Sequence, residues 1–280
     1  MIRRLFLTVM FLASFGGQLL AQDQDSVETE SIDSIGYDFV IVNPRFQNAF
    51  TFMGRDFGLD IPVLSTDLMY YFRSGVYVNL SALKFIEENL PWQYALSLGY
   101  ATDLSEKTDI NISVSQFLVA GESAIAGIQN LAFVQGSFGW EWGPLYSSFQ
   151  TQGLFSEFGI DLFLSSHHSR YFEIDQRLFK SITVSFEPKL SIMAGTSNFY
   201  LMGNFEIFPE EREALNQFEF LSTEFMLPLT FTKGMFELEF QSRYVRPFNV
   251  PLFDPSRPRY LFLAQASYSL PIKKRIKSRK

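Results

Sequence analysis

The residues best suited to chemistry are a histidine and a serine separated by one position, His167 and Ser169. Residues two apart on an extended strand project from the same face, so these two side chains would lie side by side. A histidine in that place can act as the general base for a serine nucleophile, and Glu173 or Asp161 on the same face would orient the histidine. The spacing is therefore compatible with ester hydrolysis through Ser169.

A larger group of ionisable side chains would share this face if the surrounding segments are strands. It comprises Asp67, Asp109, Asp161, His167, Glu187, Lys189, Glu224, Glu237, Glu239 and Arg243. Such a set can line a water-filled path, in which acids favour cations and neighbouring hydroxyls bind a small polar solute such as a sugar or nucleoside. Alternatively, opposite charges can pair across the interior and seal it, because unpaired buried charges are costly. Both interpretations stay open at the level of sequence.

Other chemistries lack their characteristic residues. Two adjacent histidines cannot aim at one metal ion from a strand, and the chain has no cysteine and no further histidine. Phosphate-binding loops, glycine-rich dinucleotide turns and nucleophile elbows are absent. The sequence predicts neither a metal nor another cofactor, and its net charge of −7 argues against a nucleic-acid partner.

The elements that would position these residues are long strands with one apolar and one polar face. Apolar and polar residues alternate with a period of two, for example over 182–192, 221–231 and 236–243. Many of these segments exceed ten residues, longer than strands of soluble β-sandwiches and sufficient to cross a membrane at a tilt. Twelve such segments are predicted, at 47–56, 64–72, 75–84, 92–102, 108–118, 130–140, 144–154, 157–172, 181–195, 216–231, 234–245 and 258–270.

The connections test this assignment independently. Compact turns follow the second, fourth, sixth and tenth segments, and longer loops follow most of the others, as in outer-membrane barrels. That alternation predicts an even number of strands with both termini in the periplasm. Two connections do not follow it, a short one after the seventh segment and a longer one at 174–180. Ten strands are therefore the alternative to twelve.

Both ends of the chain have compositions that differ from the strands. Residues 1–21 have the two arginines, short apolar core and small-residue cleavage region of a signal peptide for export. An acidic, flexible periplasmic leader is predicted at 22–45, the barrel at 46–271 and a basic periplasmic tail at 272–280. The chain is thus expected in the cell outer membrane.

One loop stands out because it is both long and apolar. The loop at 196–216 begins with an apolar half and continues into a short predicted helix with Pro209 in its first turn. If that apolar half were exposed to water, it would promote association with other molecules. We therefore expect it to pack into the mouth of the barrel.

The His-x-Ser segment is similar to that of outer-membrane lipid A deacylases, a resemblance that implies Ser169 as nucleophile and His167 as base. Two features depart from that family. Its members place asparagine directly after the serine, where this chain has Arg170. Their active site also faces lipid, whereas the alternation here points His167 and Ser169 inward.

A second resemblance concerns the end of the last strand. Tyr-Ser-Leu-Pro at 268–271, followed by several lysines, resembles the ending of outer-membrane barrels of the Bacteroidota, and the stretch 48–75 also looks like uncharacterised members of that group. The alternating face of this last strand is the feature that the barrel-assembly machinery would read, and outer-membrane lipids are the other expected partner. The resemblance to these proteins implies no activity.

These observations predict an all-β protein, a transmembrane antiparallel up-and-down β-barrel of about twelve strands. The leading function is a channel or passive transporter for small polar solutes. The alternatives are a structural or assembly barrel with a plugged lumen, and a membrane-embedded lipid esterase that uses His167 and Ser169.

Overall fold

The computed structural model describes residues 37–86, 92–119, 131–174, 181–202 and 207–273. These residues form one antiparallel sheet that closes on itself, because the first strand pairs with both the second and the last. The strands are β1 (Tyr37–Gln47), β2 (Val63–Tyr71), β3 (Val76–Phe85), β4 (Gln93–Ser105), β5 (Thr108–Val119), β6 (Ala132–Glu141), β7 (Tyr146–Ser156), β8 (Gly159–Ser169), β9 (Phe172–Ile174), β10 (Thr183–Phe186), β11 (Lys189–Gly195), β12 (Glu219–Lys233), β13 (Phe236–Pro247) and β14 (Arg259–Lys273).

The fourteen segments in the described residues make twelve barrel strands. Two residues separate β8 from β9, and two more, including Pro188 without a backbone N–H, separate β10 from β11. The strand β8 pairs with β11, β9 pairs with β10, and both β10 and β11 pair with β12. Each pair of segments therefore continues a single barrel strand. The prediction of an up-and-down barrel with twelve strands is confirmed.

The wall of the barrel is apolar outside and polar inside. On β4, Leu96, Leu98 and Tyr100 are exposed, whereas Ser97 between them is buried. The same alternation runs along the other long strands, and the exposed positions are mainly leucine, isoleucine, valine and aromatic residues. An apolar exterior around a polar interior is typical of barrels that face lipid. No helix in the described part of the chain is long and apolar enough to cross a membrane.

The first strand lies earlier than the alternation predicted. The prediction of a strand at 47–56 is wrong, because β1 spans Tyr37–Gln47 and so begins inside the segment assigned to a flexible leader. The inward-facing Asn43 and Arg45 interrupt the apolar character of β1, so its sequence resembles a strand less than the segment that follows. Within the described residues, the first barrel strand therefore begins at Tyr37 rather than at 46.

The segment 48–62 turns back inside the barrel instead of forming a strand. Its Met53 and Phe57 adopt the left-handed backbone region, with φ of 47° and 51°, which a regular strand does not contain. At the other end, residues 272 and 273 belong to β14 rather than to the basic tail. The signal peptide, the rest of the leader and the rest of the tail fall in 1–36 and 274–280, outside the described residues.

The two ends of the barrel differ in their connections. Short links at 72–75, 106–107, 142–145 and 234–235 lie at the end where β1 begins and β14 finishes, which we call the turn end. The opposite end, the loop end, carries the segments 48–62, 196–202, 207–218 and 248–258. Two short helices follow β11 there, a 3₁₀ helix at Asn198–Met202 and α1 at Pro209–Leu215.

A glycine on β4 makes room for an aromatic ring inside the barrel. Tyr77 is 1% exposed, and its hydroxyl donates to the Asn111 side chain at 3.0 Å. A Cβ on Gly99 would lie 2.2 Å from the Tyr77 ring. We expect Gly99→Ala to displace this ring and lower the free energy of unfolding by about 1–3 kcal/mol, the usual cost of overpacking. Urea unfolding of the refolded barrel measures this loss, and Gly136→Ala, whose nearest contact would be at 3.7 Å, is the matched control.

Candidate functional site

The loop end of the barrel is filled by aromatic side chains. We call the segment 48–62 together with the 3₁₀ helix Asn198–Met202 the aromatic plug. Phe52 is fully buried and contacts Phe199 with ring centroids 5.2 Å apart, and Phe57 contacts Tyr200 at 5.8 Å. For its described residues 198–202, the prediction that the apolar half of the 196–216 loop packs into the barrel mouth is confirmed.

A fully buried arginine holds the plug to the barrel wall. The Nη1 atom of Arg55 donates to the backbone carbonyl of Leu221, and Nη2 donates to that of Asn249, both at 3.2 Å. The alternation over 221–231 predicts Leu221 on the outer, apolar face of its strand. A register shift at Met193 and Ala194 of β11 instead brings Leu221 into the buried cluster that contains the plug. Arg55 thus joins the plug to β12 and to the 248–258 loop.

A second group of bonds joins the 248–258 loop to the plug. The Tyr200 hydroxyl donates to the carboxylate of Asp254, which also accepts from the Ser256 hydroxyl at 2.7 Å. The Ser256 oxygen accepts the backbone N–H groups of Asp56 and Phe57 at 3.0 and 2.9 Å. We call Arg55, Tyr200, Asp254 and Ser256 the polar latch.

The polar latch is electrostatically coupled as well as hydrogen-bonded. Burial raises the pKa of the Tyr200 hydroxyl and of the Asp254 carboxyl, and the charge of Arg55 opposes both shifts. Outside the latch, Arg259 of β14 forms ion pairs with Asp56 at 2.7 Å and Asp60 at 2.6 Å. The plug is therefore fixed by polar contacts to three different parts of the barrel.

Below the plug, the wall formed by β2 to β5 carries side chains that bond mainly to one another. The Ser81 hydroxyl donates to Asp67 at 2.6 Å and accepts from Asn79 at 2.9 Å. Ser97 and Ser115 share a hydrogen bond of 2.8 Å across β4 and β5. Asp67 is thus part of a buried network.

The wall formed by β7, β8, β12 and β13 contains more polar atoms that have no hydrogen-bond partner in the described chain. Arg243 and Glu224 form a buried ion pair, and His167 Nε2 lies 3.3 Å from Gln150 Oε1. Because the amide oxygen can only accept, Nε2 donates and Nδ1 is left as an acceptor in the neutral ring. A further set of buried atoms on this wall has no hydrogen-bond partner within the described chain. They are Gln150 Nε2, Gln152 Oε1, Ser165 Oγ, His167 Nδ1, Ser169 Oγ and Arg243 Nε.

The remaining predicted lumen residues are spread along the barrel. At the turn end, Asp109 accepts from the Tyr146 hydroxyl at 2.9 Å. At the loop end, Asp161 accepts from the Thr196 hydroxyl at 2.7 Å and from the Asn198 backbone N–H at 2.6 Å, which supports the plug. Lys189 is buried, whereas three acids on the inner face are half-buried, namely Glu187, Glu237 and Glu239.

The proposed catalytic triad is not assembled. His167 and Ser169 share the inner face of β8, but no hydrogen bond joins them within the part of the chain that the structure describes. Glu173 lies on β9 at the turn end, where it is exposed and pairs with Ser185. His168 faces outward and bonds to Ser147 at 2.8 Å and Ser166 at 2.9 Å. Glu173 is therefore wrongly placed to orient His167.

Sequence reasoning missed the polar latch, because its members are separated by up to two hundred positions. The one available signal was the adjacent charges of Arg55 and Asp56 within a segment rich in phenylalanine. Among the described residues, no group of three or more histidines, cysteines, aspartates or glutamates lies close enough to hold a metal ion.

Comparison with known proteins bears on the fold. No protein-family model and no curated protein sequence match this chain. Among solved structures, LpxR from Salmonella typhimurium is similar with a TM-score of 0.50 and 6% identity, over 81% of this chain and 99% of that one. The KdgM porin is similar with a TM-score of 0.48 and 10% identity, over 83% of this chain and 99% of that one. The NanC porin is similar with a TM-score of 0.48 and 7% identity, over 82% of this chain and 100% of that one. At 6% identity the likeness to LpxR shows a shared barrel fold alone.

Proposed function

We propose that this protein is an outer-membrane barrel that takes a small polar solute into its lumen and passes it when the aromatic plug moves. The observation that carries the proposal is the set of buried polar atoms without protein partners on the β7 to β13 side of the wall. Leaving such an atom unsatisfied costs about 1–3 kcal/mol, so water or a polar solute is expected to complete these bonds.

Placement in the outer membrane is supported by the outer face of the barrel. Its apolar belt carries exposed aromatic residues near both ends, Trp140 and Trp142 at the turn end and Tyr260 at the loop end. Aromatic girdles at the two interfaces are typical of outer-membrane barrels. The alternating outer face of β14 supports recognition by the barrel-assembly machinery. The likeness to Bacteroidota proteins stays a prediction.

Conductance of the refolded protein in a planar bilayer tests the passage of solutes. We expect long closed periods with brief, cation-biased openings, because acids outnumber bases among the ten predicted lumen residues. Replacing Glu237 and Glu239, which are half-buried on the inner face of β13, by glutamine should reduce the cation preference. A barrel that shows the heat-dependent gel shift of an intact fold, yet never conducts even when the plug is loosened, would contradict the proposal.

A sealed barrel of structural or assembly use is the second candidate. It is favoured by the dense packing of the plug, in which Phe50, Phe52 and Phe199 are at most 3% exposed. The lipid esterase has less support, because neither His167 nor Glu173 is bonded to Ser169 in the described chain. Any esterase activity that survived Ser169→Ala would remove Ser169 as its nucleophile.

A further inference from the structure

We infer that the lumen holds a binding site for a neutral polyhydroxyl solute about as large as a monosaccharide. This inference rests on the proposed function and names the solute class and its site. The lumen site comprises Gln150 on β7, three residues on β8 and Arg243 on β13. The three residues of β8 are Ser165, His167 and Ser169.

The register of the strands places these side chains on one continuous stretch of wall. Gln150 pairs with Ser165, and His167 lies opposite Ser191 of β11, which in turn lies opposite Glu224. The ion pair with Glu224 therefore draws the Arg243 guanidinium toward β8. Neighbouring strands are about 4.8 Å apart and alternate residues about 6.6 Å apart, so one sugar ring can span Gln150 and two successive site residues of β8. Arg243 lies three strands from β8, so it contributes through the length of its side chain.

The charges around the lumen site cancel. Arg243 is paired with Glu224. The second base, Lys189, lies opposite Ser169, and Glu187 lies two residues before it on the same face. Two bases and two acids leave no net charge, so neither an anion nor a cation has a Coulombic advantage at this part of the wall.

The polar atoms of the lumen site that have no hydrogen-bond partner in the described chain include both donors and acceptors. Gln150 Nε2 and Arg243 Nε can only donate, and His167 Nδ1 accepts in the neutral ring. The hydroxyls of Ser165 and Ser169 do both. An anionic group can only accept and an ammonium group can only donate, whereas each sugar hydroxyl does both. Hydroxyl groups therefore match the mixed set best.

The lumen site lies toward the turn end of the barrel. The strand β8 runs from the loop end at Gly159 to the turn end at Ser169, so Ser169 lies farthest from the plug. The plug contacts this strand near its start, at Phe163. The lumen site is therefore separate from the contacts that hold the plug.

The two histidines provide the test, because they lie next to each other on opposite faces of β8. The protein would be labelled with ¹⁵N-histidine, refolded in detergent and titrated separately with glucose, glucuronate and glucosamine. We expect glucose to shift the imidazole resonances of His167 and to leave those of His168 unchanged. The two charged analogues should bind at least fivefold more weakly than glucose.

Two serine variants give a matched comparison on the same strand. Ser169→Ala removes a hydroxyl from the lumen site and should weaken glucose binding about fivefold to tenfold, the effect of one lost hydrogen bond. Ser166→Ala removes a hydroxyl from the outer face, where it bonds to His168, and should leave glucose binding unchanged.

Three results would overturn the inference. They are tighter binding of glucuronate or glucosamine than of glucose, the absence of a His167 shift with all three probes, and equal effects of the two serine variants. Solute flux into liposomes separates this inference from the proposed function. Flux of glucose without a His167 shift would remove the lumen site alone, whereas a His167 shift without flux under any condition would keep the site and remove the channel.

Discussion

Arg55→Met should convert a mostly closed barrel into one that conducts for most of the recording time. The substitution keeps most of the side-chain volume but removes the two bonds from Arg55 to the carbonyls of Leu221 and Asn249. It also removes the charge beside the buried Asp254. Breaking buried charged contacts costs about 3–5 kcal/mol, enough to displace a plug that has no covalent link across the lumen. The open fraction in planar-bilayer recordings measures the effect.

An exposed arginine in a neighbouring loop serves as the control for this experiment. Arg257 lies in the 248–258 loop, carries the same charge and is exposed, so Arg257→Met should leave the open fraction unchanged. Both variants must keep the heat-dependent gel shift of a folded barrel. If Arg55→Met folds and conducts no more than the parent protein, the plug is not held by the polar latch, and the sealed-barrel alternative becomes the better explanation.

Much of the barrel was predictable because lipid and water impose opposite demands on alternate residues. The period of two on β12 to β14 and the short turns at the turn end follow directly from the sequence. The inner-face positions of Asp67, Lys189 and Arg243 follow from the same alternation. Local pattern was sufficient for these features, since each depends on one strand and its neighbours.

The 48–62 part of the plug was not predictable from the same pattern. Phe50, Phe52 and Met53 resemble an amphipathic strand, but they are buried inside the barrel against residues of the 3₁₀ helix. Aromatic residues satisfy a lipid-facing strand and a packed interior equally well, so composition could not decide between them. The outcome depended on Arg55, whose partners at Leu221 and Asn249 are distant in sequence. The inner-face positions of the lumen residues were therefore more predictable than the element that covers them.

The buried pair of Arg243 and Glu224 should give the largest stability effect inside the lumen. Arg243→Met alone leaves an uncompensated carboxylate, and Glu224→Leu alone leaves an uncompensated guanidinium, so each is expected to lower the free energy of unfolding by about 3–5 kcal/mol. The double variant replaces both charges with apolar groups of similar volume and should lose less than either single variant. Urea unfolding of the refolded barrel in lipid vesicles, followed by tryptophan fluorescence, measures all three.

The loss of stability in the double variant, compared with the sum of the two single losses, decides whether Arg243 and Glu224 are in direct contact. Glu219 is exposed at the start of β12, and Glu219→Gln should change the stability by less than about 0.5 kcal/mol. Additive losses in the double variant would mean that water separates Arg243 from Glu224, since independent sites add and contacting sites do not. A rescued double variant that no longer binds glucose would show that the pair contributes to binding separately from stability, because stability and binding would then respond differently to the same two substitutions.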